Sequence, residues 1–190
     1  AISDHMRNPD GRILILEFPI SKSDSVRPIY RFLIDWSIRR ALDQPDKETY
    51  YLLDEFARLP HLTLIEELVN AGRSREVHAI LGLQSVSQLI DAYGQETSDS
   101  ILAGLVQQVL MQSNDDPSVS HILNQTGRHR KTEADPEGKE RPEPEYAIDE
   151  QKVLQMETGE AIVTRVNGFW SRGKVFMLGD QQALQYSVDD

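Results

Sequence analysis

The chain has 190 residues, 31 acidic side chains against 20 Lys and Arg for a formal net charge of −11, and no cysteine. That length suffices for a single domain with a real core, and the missing cysteines exclude disulfides, thiolate metal sites and thiol nucleophiles, in agreement with a reducing, cytoplasmic setting. The acidic balance argues against a domain that coats itself with nucleic acid, and no apolar run approaches the roughly 18–20 residues that cross a bilayer. Residues 12–19, RILILEFP, are a short apolar run closed by proline and predict a buried strand. From Ser25 to Asp43 the period changes to that of a helix. Val26, Ile29, Tyr30, Leu33, Trp36 and Ala41 share one face, and Pro28 is placed in the first turn. Residues 49–55, TYYLLDE, predict a second strand. The helix after Pro60 carries Leu62, Ile65, Leu68 and Val69 and stops at Gly72.

Residues 77–84, VHAILGLQ, predict a third strand, followed by a helix stopped at Gly94 and a short helix in SDSILAG. LVQQVLMQ, residues 105–112, predicts a fourth strand, and the Asn-Asp-Asp-Pro after it starts another helix. Residues 131–146, rich in Pro and Glu and without apolar period, predict a mobile loop. A short helix in IDEQKVL and two late strands follow, and residues 181–190 are read as a tail. Strands and helices in alternation predict an α/β fold, a mainly parallel sheet with helices on both faces. All 190 residues belong to one domain in this reading. The start at Ala1 rather than Met suggests an excised or processed piece.

The chemistry gathers at two strand ends. Asp54 and Glu55 close the second strand, on the side of a parallel sheet where ligands bind. There an acid can hold Mg²⁺ through water, and a neighbouring Glu can take a proton from an attacking water. Adjacent residues on a strand point to opposite faces, so the two acids can divide these roles. The same dipeptide also serves as a helix cap or a solvated turn, and by itself it does not decide between them. Gln84 ends the third strand, where a neutral amide can bond a phosphate oxygen or cap the next helix. Arg73 and Arg75 follow a helix stop on a loop, a place from which a guanidinium can reach a neighbouring subunit's phosphates. No phosphate-gripping G-x-x-x-x-G-K-[ST] loop exists in the sequence. The near miss at residues 168–175, GFWSRGKV, has Val175 in place of the metal-binding hydroxyl and reads as a hairpin turn. Arg128, Arg130 and Lys131 form a basic block after 51 residues without Lys or Arg (77–127). It can touch nucleic-acid phosphates or lie on a solvated strand edge. None of the five histidines shows ligand spacing.

Together, YYLLDEFARLPHL, AGRSREVHAILGLQSVSQLIDAYG and TGEAIVTRV resemble the carboxyl-terminal half of the type IV secretion coupling proteins of the TraD/TraG kind, with the HerA/FtsK translocases as wider relatives. The resemblance spans roughly residues 11–178. It implies a RecA-like P-loop NTPase core, here a partial domain lacking the Walker A segment. It further implies a hexameric motor that uses ATP and Mg²⁺ to move DNA, with relaxosome and secretion-channel proteins as partners. The parent would be an ATPase anchored at the inner membrane, and this piece alone would be inactive. Position by position, the resemblance makes Asp54 the Walker B metal acid, Glu55 the catalytic glutamate and Gln84 the γ-phosphate sensor. Arg73, or less directly Arg75, becomes the arginine offered across the subunit interface. Two alternatives stay open: a HerA/FtsK-like DNA translocase, and a non-catalytic module that recognises relaxosome or effector proteins.

Overall fold

The computed structural model describes residues 13–17, 23–44, 48–134, 140–165 and 170–174, with backbone alone for 23–24, 128–134 and 140–145. The tail at 181–190 lies outside them. The chain divides into two units, Ala1–Gln84 with Gln88–Leu105, and Ser85–Ser87 with Val106–Asp190.

In the first unit, α1 (Ser23–Asp43) leads into β1 (Thr49–Leu53). A 3₁₀ turn (Phe56–Arg58) and α2 (Ile65–Ala71) follow, then a second 3₁₀ turn (Gly72–Arg75) and β2 (Val77–Leu81). Helices α3 (Val86–Tyr93) and α4 (Gln95–Gly104) complete it. The strands β1 and β2 pair in parallel, Thr49 opposite Val77 through Leu53 opposite Leu81. Parallel pairing requires a crossover, and α2 supplies it. Leu62, Ile65 and Leu68 are each 1% exposed, and burial of side chains of this size stabilises by about 1.5–3 kcal/mol apiece. Gly72 is required by a close approach: a Cβ there would lie 2.5 Å from the Val77 carbonyl oxygen.

Three expectations for this unit are corrected. Residues 13–17 form no strand and are not buried. Ile13 and Ile15 are 87% and 78% exposed and Leu14 and Leu16 both 43%. The period of two is that of an extended chain, but among the described residues no strand pairs with it. Helix α1 begins ahead of Pro28, which therefore sits inside it and forgoes one backbone bond. Its buried stripe is Ile34, Ile38, Ala41 and Leu42, while Ile29 and Phe32 are exposed. The sequence pattern held two apolar stripes, and apart from Ala41, which was expected inside, the core takes the other one. One face of the β1–β2 pair is likewise open, carrying Tyr50, Leu52 and Ile80.

In the second unit, β3 (Gln108–Met111), β6 (Glu160–Thr164) and β7 (Trp170–Lys174) form an antiparallel sheet in the order β3-β6-β7. The predicted fourth strand thus pairs antiparallel with a late strand rather than extending the parallel pair. Helix α5 (Asp116–Thr126) has Asp115 as N-cap, Pro117 in its first turn and Gly127 at φ 79° beyond its end, the expected stop and start chemistry. Helix α6 (Glu150–Leu154) is capped by Asp149. Val119, Ile122, Leu123, Ile148, Val153, Met156 and Ile162 form the core. Strands β4 (Arg128–Ala134) and β5 (Glu140–Tyr146) make an antiparallel pair where a loop was expected. Pro142 and Pro144, two residues apart, turn their missing N–H groups to one edge, which a two-stranded ribbon leaves without a partner. The near-miss phosphate loop runs into β7, with residues 166–169 outside the described set. Among the described residues, no helix is long and apolar enough to cross a membrane.

Candidate functional site

The site is built where β1 and β2 end side by side. Two backbone bonds carry the pairing past the strands: Gly82 N–H donates to the Leu53 carbonyl and Phe56 N–H to the Gly82 carbonyl, both at 2.9 Å. The turn holding Asp54 and Glu55 is thereby hooked onto the segment leading to Gln84. Gly82 is the reason the hook fits, because a Cβ there would stand 2.8 Å from Asp54 Oδ1 and 3.5 Å from the Glu55 nitrogen. Glu55 adopts the left-handed conformation, φ 45° and ψ 44°, a region that L residues other than Gly enter at a cost.

Side-chain bonds fix the acids. Asp54 Oδ1 accepts from the Glu55 N–H at 3.0 Å. Glu55 Oε1 accepts from Gln84 Nε2 at 3.1 Å, and Glu55 Oε2 from Arg58 Nη1 at 3.0 Å. Gln84 Oε1 in turn accepts from Gln88 Nε2 at 3.3 Å. Asp54 and Gln84 are exposed and Glu55 is half-buried, so the cluster is open to a ligand. Both Glu55 oxygens and the Gln84 amide oxygen already accept hydrogen bonds, so Asp54 is the exposed acid that could meet a hydrated Mg²⁺. Among the described residues no group of three acids or histidines is placed to hold a metal by itself.

Asp54, Glu55 and Gln84 are therefore brought together at the ends of β1 and β2. Arg73 is exposed on the 3₁₀ turn at the opposite end of β2. Arg75 is committed elsewhere: its Nη1 donates to the Leu42 carbonyl at 2.7 Å, capping the last turn of α1, where a cation also meets the negative end of the helix dipole. Arg128, Arg130 and Lys131 lie on β4, whose side chains are not described. Sequence reasoning missed Arg58, Gly82 and Gln88. A glycine directly after an apolar strand signals close backbone approach, and Arg58 lies three residues from Glu55, the reach of one helical turn.

The family described as the TraM recognition site of TraD and TraG matches residues 48–165. Solved structures similar to the chain include a bacterial conjugative coupling protein, TrwBdeltaN70, in an unbound form. It is 20% identical with a TM-score of 0.78, over 94% of this chain and 43% of that one. The plasmid coupling protein TrwB with ADP and Mg²⁺ matches at 20% identity and TM-score 0.77, and TrwB with a non-hydrolysable GTP analogue at 19% and 0.74, with the same coverage. At such identity the likeness is one of fold, the RecA-like P-loop NTPase fold in part. The chain spans less than half the length of these proteins. No curated protein matches it.

Proposed function

The chain belongs to the family of the TraM recognition site of TraD and TraG, and on that premise we propose that it is the carboxyl-terminal part of a hexameric, ATP-driven coupling motor that delivers DNA and attached proteins to a conjugation channel. The observation that carries this reading is the contact of Glu55 with Gln84 across neighbouring parallel strand ends, with Asp54 beside them. Asp54 would hold Mg²⁺ through water, Glu55 would accept a proton from the attacking water, and the Gln84 amide would meet the terminal phosphate. ATP with Mg²⁺ supplies the cleavable phosphoanhydride. The phosphate-gripping loop would come from polypeptide outside these 190 residues, and the open face of Tyr50, Leu52 and Ile80 is where that polypeptide would pack. Arg73, being exposed, is the arginine offered to a neighbouring subunit in preference to Arg75. The basic block of Arg128, Arg130 and Lys131 would touch DNA, and the full protein would be anchored at the inner membrane.

The test has three arms. Calorimetry of the 190-residue chain with Mg-ATP should show no saturable binding, and micromolar affinity would overturn the division of the site. In the full protein, Glu55→Gln should bind ATP yet not turn it over. Arg73→Ala should be rescued in mixed hexamers by a neighbour with intact Arg73. Undiminished hydrolysis in the Glu55→Gln variant would remove Glu55 from the chemistry.

A second reading is favoured by the family's own description: the chain is a docking module for a relaxosome protein. A relaxosome protein of the TraM type that binds the chain without nucleotide, and binds Glu55→Gln equally, would support it.

A further inference from the structure

The start of α3 is held by side chains from the start of α5. The Val86 N–H donates to Ser118 Oγ at 2.8 Å and the Ser87 N–H to Asp115 Oδ2 at 3.3 Å. The Ser87 hydroxyl donates to Asp115 Oδ1. Asp115 is also the N-cap of its own helix, where Oδ2 accepts from the Ser118 N–H at 3.0 Å and from the Ser118 hydroxyl at 2.6 Å. These bonds all lie within the second unit, to which Ser85–Ser87 belong. One half-buried carboxylate therefore serves the orphan N–H groups of two helices. A cap for α5 alone needs a single acceptor oxygen, and Asn or Ser supplies it about as well as Asp. The second oxygen, which takes the Ser87 hydroxyl, is surplus to that task.

The residues on either side of this grip give the second oxygen a purpose. Gln84 lies two residues before Val86. Gln88, the residue after Ser87, donates from Nε2 to Gln84 Oε1 at 3.3 Å. With its oxygen taken, the Gln84 amide presents Nε2, which stands 3.1 Å from Glu55 Oε1. Gln84 is exposed, so its amide takes its place from the backbone that carries it and from Gln88 in the first turn of α3. Asp115 fixes the origin of both.

We propose that Asp115 is a positioning residue for the hydrolysis step: through Ser87 and Ser118 it sets the start of α3, and so places the Gln84 amide against Glu55. The inference rests on the proposed role of Gln84 at the terminal phosphate. It adds that the place of this amide is dictated from α5, by a carboxylate that itself touches neither nucleotide nor attacking water.

Two variants separate positioning from capping. Asp115→Ser keeps a good N-cap for α5, but its one short side-chain oxygen cannot also hold Ser87. Ser87→Ala removes the held hydroxyl and leaves the cap of α5 untouched. In the nucleotide-free chain, the Gln84 side-chain amide is read in a two-dimensional nitrogen–proton spectrum and assigned by its disappearance in Gln84→Ala. Both variants should move that signal toward the position of a solvated glutamine, while the urea midpoint of Asp115→Ser stays above that of Asp115→Ala. A Gln84 signal unmoved in both would overturn the proposal. In the full protein, each variant should lower kcat and kcat/KM for ATP equally, by up to about 100-fold, the scale of a misplacement of about 1 Å. Turnover in Asp115→Ser that recovers along with stability would reduce Asp115 to a helix cap and overturn the proposal. Gln84→Ala should lower turnover as well, and adding Asp115→Ser to it should lower it no further, because the two act as one unit. A full additional loss in the double variant would mean that Asp115 acts by another route, and the proposal would fall. Undiminished turnover in Gln84→Ala would overturn the role of Gln84 and the catalytic half of this inference with it. The spectrum of the nucleotide-free chain reports placement alone, so the two failures are told apart.

Discussion

Replacing Glu55 by Gly and by Ala separates what its backbone costs from what its side chain does. Both variants remove the carboxylate, hence the bonds to Arg58 and Gln84, and that effect cancels between them. The ion pair is in any case solvated, with side chains 52% and 43% exposed, and such pairs contribute about 0–1 kcal/mol. What differs is the left-handed conformation at φ 45°. A residue with a Cβ carries about 1–2 kcal/mol of strain there, whereas Gly carries none but loses about 0.5–1 kcal/mol more chain entropy on folding. Glu55→Gly should therefore exceed Glu55→Ala in stability by about 0.5–1 kcal/mol. At a urea slope of about 2 kcal/mol/M this is a midpoint difference of about 0.25–0.5 M. Both should abolish hydrolysis in the full protein. Glu76, the other left-handed non-glycine described, at φ 56°, is the control: the same pair of substitutions should give the same difference and leave hydrolysis intact. A midpoint for Glu55→Ala equal to or above that of Glu55→Gly would refute the claim that this acid is held in strain.

Gly82→Ala would place a methyl 2.8 Å from Asp54 Oδ1. The carboxylate can swing away, so the urea midpoint should barely move while magnesium-dependent hydrolysis in the full protein falls sharply. Phe56→Ala should cost about 3–5 kcal/mol in denaturant unfolding, as for other fully buried aromatics, because it also leaves Tyr93 without its inner stacking partner. Burial pushes the Tyr93 hydroxyl up to about 12. The stability it gives is complete below the unfolded value near 10 and is lost as pH rises through about 12, so Tyr93→Phe should flatten the alkaline limb of a stability–pH curve. Asp115→Ala should cost about 0.5–2 kcal/mol as a lost N-cap. Burial alone would raise the Asp115 pKa, but hydrogen bonds from Ser118 and Ser87 outweigh it and leave the pKa lowered. The corresponding stability is present above the unfolded carboxylate value and lost as pH falls through the depressed one. Thermal melts of Asp115→Asn against pH should show a shallower acid limb.

Those features that a few adjacent residues determine were legible in the sequence. Asp115, Pro117 and Gly127 fix the limits of α5 by satisfying or removing end groups of the helix, and the apolar runs of β1 and β2 end at the acids and at the segment bearing Gln84. The face of a helix is another matter. Helix α1 carries apolar residues on both sides, and only the arrival of β1, whose Tyr51 hydroxyl reaches Ser37 at 3.3 Å, selects Ile34 and Ile38 for the core. The same logic explains residues 13–17 and the face of Leu52 and Ile80. Their composition was read as that of buried strands, and composition cannot state whether the covering layer lies on the same stretch of chain. The Phe56–Tyr93–His61 stack was invisible for a third reason. Its members are 37 and 32 residues apart in sequence for the Phe56–Tyr93 and Tyr93–His61 pairs, and no local period links them. Yet Phe56 directly follows Glu55, and its backbone N–H holds the acid turn to the Gly82 carbonyl while its ring stacks on Tyr93. A site read from the acids alone would miss that the turn is gripped on one side by the segment after β2 and on the other by the stack of Phe56 on Tyr93.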